Sequence, residues 1–143
     1  MAADVLRVLL DTNQLVSSLL STRGPQGQLV DAWRRRAFLL FVTLGQLDEI
    51  ADVLTRPKIA KKYPIPPGDR RAFLDLLRTE AVVLPDAPAP GVCRDPDDDY
   101  LLGCAAAGAV DYLVTGDADL WSVGRHRGVS IVDARHFLHL LAP

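Results

Sequence analysis

Acidic side chains are the residues of this chain best placed to do chemistry. From Arg94 to Leu120 the sequence RDPDDDYLLGCAAAGAVDYLVTGDADL holds seven aspartates, with no lysine or arginine between Asp95 and Asp119. Another acid, Asp11, closes the apolar run VLRVLL. Asp99 falls at the first turn of a helix, and Asp11 and Asp117 lie just past the ends of two strands. If those strands are parallel neighbours, the three carboxylates open onto one crevice, at the sheet edge where open parallel sheets place their ligands. Carboxylates so crowded cannot all stay ionised without a counter-charge: one takes up a proton, or hard cations bind. Ligation by Asp and Glu oxygens, without His or Cys, selects Mg²⁺ or Mn²⁺ over zinc. A site of that kind suits hydrolysis of phosphodiesters.

The elements that must hold these acids alternate along the chain. Val5 to Leu10 is an apolar run expected as a strand covered on both faces. DTNQLVSSLLST then reads as a helix up to Gly24-Pro25, so Asp11 also suits a helix N-cap. Pro25 to Arg36 is a second helix, Ala37 to Val42 a second strand, and Thr43 with Gln46 a capping box opening a helix to about Thr55. On that helix Glu49 lies off the apolar stripe of Leu47, Ile50, Ala51 and Leu54 and reads as exposed. KIAKKY makes a short basic turn or helix, PIPPG a hinge-like connection, GDRRAFLDLLRTEA a helix, AVVLP a third strand and residues 85–94 a loop. YLLGCAAAGA is a small-residue helix closing at Gly108, DYLV a fourth strand, TGDADL a loop, WSVGRHRG a turn, VSIV a fifth strand and DARHFLHLLA a final helix capped by Asp133. The order predicts one doubly wound α/β domain spanning residues 1–143, with a mostly parallel sheet of about five strands.

With 143 residues, 49% of them apolar, the chain has enough core for one domain without staples. It has no apolar run near the ~20 residues that span a bilayer, and MAADVLRVLLD enters a strand too soon for a signal peptide, so a cytoplasmic location is expected. Cys93 and Cys104 lack metal or redox spacing and are expected as free thiols. His136 and His139 share a helix face but lack a third ligand, which favours a surface reading. The net charge of -2 hides an uneven distribution: ten of the sixteen bases lie between Arg34 and Arg78.

Four segments taken in order, LLDTNQLVSSLL, LDEIADVLTRPK, RDPDDDYLLGCAAAGAVDYLVTGDADL and GVSIVDARHFL, resemble the PIN-domain ribonucleases. In particular they resemble the VapC-like toxins of toxin–antitoxin modules. The resemblance covers essentially the whole chain. It implies a three-layer α/β/α fold whose parallel sheet has the order 3-2-1-4-5, with acids gathered at its carboxyl edge. It also implies Mg²⁺- or Mn²⁺-dependent cleavage of RNA, dimerisation, and silencing by a cognate antitoxin protein. Matched residue by residue, Asp11, Glu49, Asp99 and Asp117 are the implied acids and metal ligands. Asp119 is a further metal ligand, and Asn13 and Thr115 are supporting polar positions. DPDDD offers Asp97 and Asp98 as well; Asp99 is preferred for its spacing, its neighbours being caps and loop solvation.

An acidic centre would repel RNA, so a rim formed by Arg34, Arg35, Arg36, Lys58, Lys61, Lys62, Arg125 and Arg127 is expected to hold the phosphate backbone. Rival readings fit less well. A phosphoacceptor domain needs a lysine at the last strand, and VSIVDAR has none; a haloacid-type phosphatase needs DxD at the first strand, where this chain has DTN. A catalytically silent PIN scaffold that binds RNA or protein remains the alternative, although every matched acid is present.

Overall fold

The computed structural model describes residues 5–62 and 65–142; the expected PIPPG hinge therefore begins, at Pro64, outside the described residues. Six strands form a single sheet in the order β3-β2-β1-β4-β6-β5. They are β1 (Arg7–Leu10), β2 (Leu39–Thr43), β3 (Val82–Leu84), β4 (Tyr112–Val114), β5 (Arg125–His126) and β6 (Val129–Val132). All pairings are parallel except β5 with β6. The expected order of five strands is thus present, with VSIV as β6, and one short antiparallel strand is added at the edge.

Alternation along the strands sorts the core into two layers. Val8, Leu10, Leu40 and Val42 face one side, with α1 (Thr12–Leu20), α2 (Pro25–Arg34), α3 (Leu44–Thr55), α5 (Pro67–Glu80) and α8 (Ala134–Leu141) packed over them. Leu9, Phe41 and Leu113 face the other, beneath α6 (Pro96–Ala107) and α7 (Ala118–Val123). Because both faces are covered, the strands read as unbroken apolar runs. Phe38, Tyr112 and Phe137 make edge and tilted ring contacts, each pair 5.4 Å apart, that seat α8 against the sheet.

The helix starts direct the site. The Thr43 hydroxyl accepts from the Gln46 N–H at 3.0 Å, and the Gln46 side-chain Oε1 accepts from the Thr43 N–H at 3.0 Å, which completes the expected capping box. Gln46 then donates from Nε2 to the Leu10 carbonyl at 2.8 Å, tying α3 to the end of β1. The basic turn is helical as α4 (Pro57–Lys62). Two expectations change. ADLWSV is a helix, α7, capped by Asp117 and ended by Gly124, and the turn after it contains β5. Among the described residues no helix is long and apolar enough to cross a membrane, and both cysteines are free thiols.

Candidate metal centre at the carboxyl edge of the sheet

Neighbouring strands bring Asp11 and Asp117 together. Leu10 pairs with Val114, and the Asp11 N–H donates to the Val114 carbonyl at 3.0 Å, so the two strands end side by side. The carboxylate of Asp11 caps α1, accepting from the Gln14 N–H at 2.9 Å, while its second oxygen accepts a short hydrogen bond from the Thr115 hydroxyl. The N-cap reading of Asp11 and its place in an acidic cluster therefore both hold. The same hydroxyl accepts from the Asp117 N–H at 3.0 Å, so fully buried Thr115 sets the spacing of the two acids. Trp121, half exposed, donates from Nε1 to the Thr115 carbonyl at 2.9 Å. Burial pushes the Asp11 carboxyl up from the usual range, against the pull of its hydrogen bonds, and Asp117 adds repulsion.

The expected third acid is placed elsewhere. Asp99 is buried at 6% exposure, and its two oxygens accept from the N–H groups of Gly91 (2.8 Å), Val92 (2.9 Å) and Cys93 (3.0 Å). Those bonds, that of Cys93 foremost, hold its pKa low. Asp98 instead meets Asp117. Its Oδ2 is buried and has no hydrogen-bond partner among the described residues. Burial, a hydrogen bond shared with Asp117 and the charges around it push its pKa up to about 7. The two residues differ because α6 lies on the sheet through Leu101 and Leu102, three and four positions after Asp98. Asp99 precedes Gly103 by four and shares its face, which packs on Pro88 of the proline-rich loop. Leu102 also follows Asp99 by three positions, so spacing alone does not separate the two aspartates; the docked face of α6 does.

A cavity of about 190 Å³ opens between these elements, lined by Asp11, Asn13, Glu49, Asp97, Asp98 and Tyr100, among others. It is large enough for several waters. Glu49 is exposed, as its helix position predicts, yet it borders this cavity; crowding by protein atoms and by Asp97 raises its pKa, and Thr12 donates a hydrogen bond to it. Tyr100 donates to Asp86 at 2.6 Å and accepts from the Gly45 N–H at 3.2 Å. A Cβ at Gly45 would stand 2.9 Å from the Tyr100 hydroxyl, so glycine is what admits the ring. Thr12, Asp97, Asp98 and Tyr100 were not among the expected site residues.

Two further expectations change. Asp119 accepts from exposed Arg94 at 3.2 Å, so a base from just before the acidic stretch does reach it. Much of the expected basic rim lies at the opposite edge. Arg34 and Arg36 border a groove with Val5, Phe38 and Leu39, where β1 and β2 begin. Arg125 pairs with Ser130 and Arg127 sits in the following turn, beside the start of β6. Helix α2 and strand β5 deliver them there because each precedes the amino end of a strand. Arg35 lies next to Arg34 at the end of α2. Lys58, Lys61 and Lys62 ride on α4, beyond the far end of α3.

Among the described residues no three His, Cys, Asp or Glu are gathered tightly enough to hold an ion as they stand. The donor chemistry nevertheless suits a hard cation. Oxygen ligands crowd one another, Asp11, Glu49 and Asp98 all resist ionisation, and the orphaned Asp98 Oδ2 lacks a donor that a cation would replace.

A family model described as PIN domain matches residues 7–119. PIN domains are in general nucleases that use divalent metal ions. The uncharacterised protein MJ1680 of Methanocaldococcus jannaschii is 26% identical over 121 residues, covering 82% of this chain and 75% of its own length. The crystal structure of PAE2754 from Pyrobaculum aerophilum superimposes with a TM-score of 0.64 at 19% identity, over 95% of this chain and 89% of that one. A chain from the structure of VapBC2 of Rickettsia felis, bound to a DNA fragment from their promoter, gives 0.59 at 12% identity, over 87% and 96%.

Proposed function

The chain belongs to the PIN-domain family, and on that premise we propose that it is a Mg²⁺- or Mn²⁺-dependent endoribonuclease. The observation that carries the reading is the meeting of Asp11, Asp98 and Asp117 from separate segments, next to Glu49 at one cavity, with three of these acids resisting ionisation. Asp11, Glu49, Asp98 and Asp117 would hold the ion, and Asp98 takes the place first given to Asp99. When bound, a divalent ion supplies the positive charge that stabilises the phosphodiester in its transition state and lets water attack at neutral pH. Thr115 keeps Asp11 and Asp117 at fixed spacing through its hydroxyl, and Gln46 holds the α3 wall of the cavity against β1. Asn13 borders the same cavity, where its amide can orient a water or phosphate oxygen.

A role as the toxin of a toxin–antitoxin pair, silenced by a cognate antitoxin protein, is supported by the sequence resemblance and by the fold shared with a chain of VapBC2. The decisive experiment incubates an RNA panel with the protein in Mg²⁺, in Mn²⁺ and in EDTA. Cleavage that needs the ion and disappears in folded Asp11→Asn and Asp98→Asn proteins is expected. Undiminished cleavage by both variants would sink the assignment, and ion-independent binding without cleavage would favour the silent scaffold.

A further inference from the structure

The buried carboxylate of Asp99 is removed from the acidic cavity and devoted to a loop, and that loop carries Arg94. Three consecutive N–H groups, from Gly91, Val92 and Cys93, converge on the two Asp99 oxygens. Gly91 is at φ +75°, in the left-handed region, and this curls the chain so that its amide joins the other two. The residue after this curl is Arg94. Its side chain is 88% exposed, and its guanidinium reaches Asp119, 25 positions away, at 3.2 Å. By contrast the Arg56–Asp52 and Arg78–Asp75 pairs are local to one helix or its end.

We propose that Arg94 is the residue that binds the RNA phosphate beside the acidic cavity, and that Asp99 is the positioning residue that holds it there. The inference rests on the nuclease reading of the same site. Asp11, Asp98 and Asp117 repel a polyanion, while Arg34 and Arg36 border the groove at the other edge of the sheet and Arg127 lines a separate hollow with Pro88, Pro90 and Ala107. Arg94 stands at the correct edge. It is paired to an acid of the adjoining helix α7, and one of its five N–H donors makes the contact with Asp119, which leaves the planar fork able to turn to a phosphate. In this state Asp119 orients the fork; with RNA present the phosphate takes its place. A buried carboxylate with three amide donors anchors the backbone that leads into Arg94, and this fixes where its side chain starts.

The test uses a fluorescently labelled single-stranded RNA and four proteins: unaltered, Arg94→Ala, Arg94→Lys and Asp99→Asn. Binding is measured in EDTA over a salt series, and cleavage in Mn²⁺ gives kcat and KM separately. Arg94→Ala is expected to raise KM about 10-fold with little change in kcat, and to lower the salt slope of binding by about one unit. Arg94→Lys should recover the slope but only part of the affinity. Asp99→Asn should mimic Arg94→Ala, and combining the two should add little. Arg94 is exposed, so its variants report even if Asp99→Asn fails to fold. An Arg94→Ala protein with unchanged KM and salt slope overturns the inference while leaving the nuclease reading intact. Unaltered protein that neither binds nor cleaves RNA overturns both.

Discussion

β1 and β4 have two ends, and the charged groups at them are treated in opposite ways. At the amino end the Arg7 N–H donates to Asp111 Oδ2 at 2.9 Å. The Arg7 guanidinium donates to the Gly108 and Ala109 carbonyls at 2.7 and 3.0 Å and lies 4.5 Å from the centre of the Phe41 ring. Arg7 and Asp111 each meet a complementary group there, and the last turn of α6 is closed by a cation, as its dipole favours. At the carboxyl end Asp11, Asp98 and Asp117 face one another, and Asp98 keeps a buried oxygen without a partner. The amino end holds the fold together, whereas the carboxyl end keeps an electrostatic strain that a proton on Asp98 or a bound cation relieves. A lapse in local consistency of that kind marks a functional site.

Substitutions should separate the two ends. The largest effect is expected from Asp98→Asn: RNA cleavage falls at least about 100-fold, while the ion-free protein melts higher because repulsion is relieved. A lower melting temperature would remove the claim of strain. Arg7→Ala should do the reverse, lowering stability by about 1–3 kcal/mol by freeing the carbonyls that close α6, with cleavage per folded molecule unchanged. Denaturant titration and active-site-normalised rates check both halves.

A smaller effect is expected from pH. The folded pKa of Asp98, about 7, lies above its unfolded value, so its contribution is present in acid and is lost as pH rises through neutrality. Asp11 and Glu49 shift in the same direction. Since Asp98 is only partly buried, its loss should be at most about 1 kcal/mol, seen as an ion-free melting temperature that declines as pH rises from the unfolded value of 3.8 to about 7, levels off above, and recovers with Mn²⁺. Asp99 works oppositely: its lowered pKa gives stability that is lost only as pH falls below the usual carboxylate range. Equal ion-free melting temperatures at about pH 5 and about pH 7 would contradict the Asp98 assignment. The smallest effect belongs to Arg34→Ala with Arg36→Ala, which should leave the salt slope of RNA binding unchanged, because their groove lies at the amino end.

The strands and long helices were legible in the sequence because burial on both faces or on one stripe writes a pattern over many residues. Helix α7 was not: six residues make fewer than two turns, too few for a periodicity to show, and its cap Asp117 looked like loop chemistry. Asp11 and Asp117 were placed together from strand ends alone. Choosing among three consecutive aspartates needed the docking face of α6, where one position is a 100° turn. The basic clusters were visible as composition, but which edge of the sheet each reaches depends on the direction in which α2 and β5 run, and no local pattern carries that.

The hydrogen bond from the Trp121 indole to the Thr115 carbonyl gives the cavity an optical readout. Trp121 is 42% exposed and one residue removed in contact from the Asp11 carboxylate, whereas Trp33, at 7% exposure, is on α2 with its ring in the core. In a Trp33→Phe protein the remaining indole emission should report arrivals at the acidic edge directly, so that ions and oligonucleotides can be titrated by fluorescence without attaching a dye.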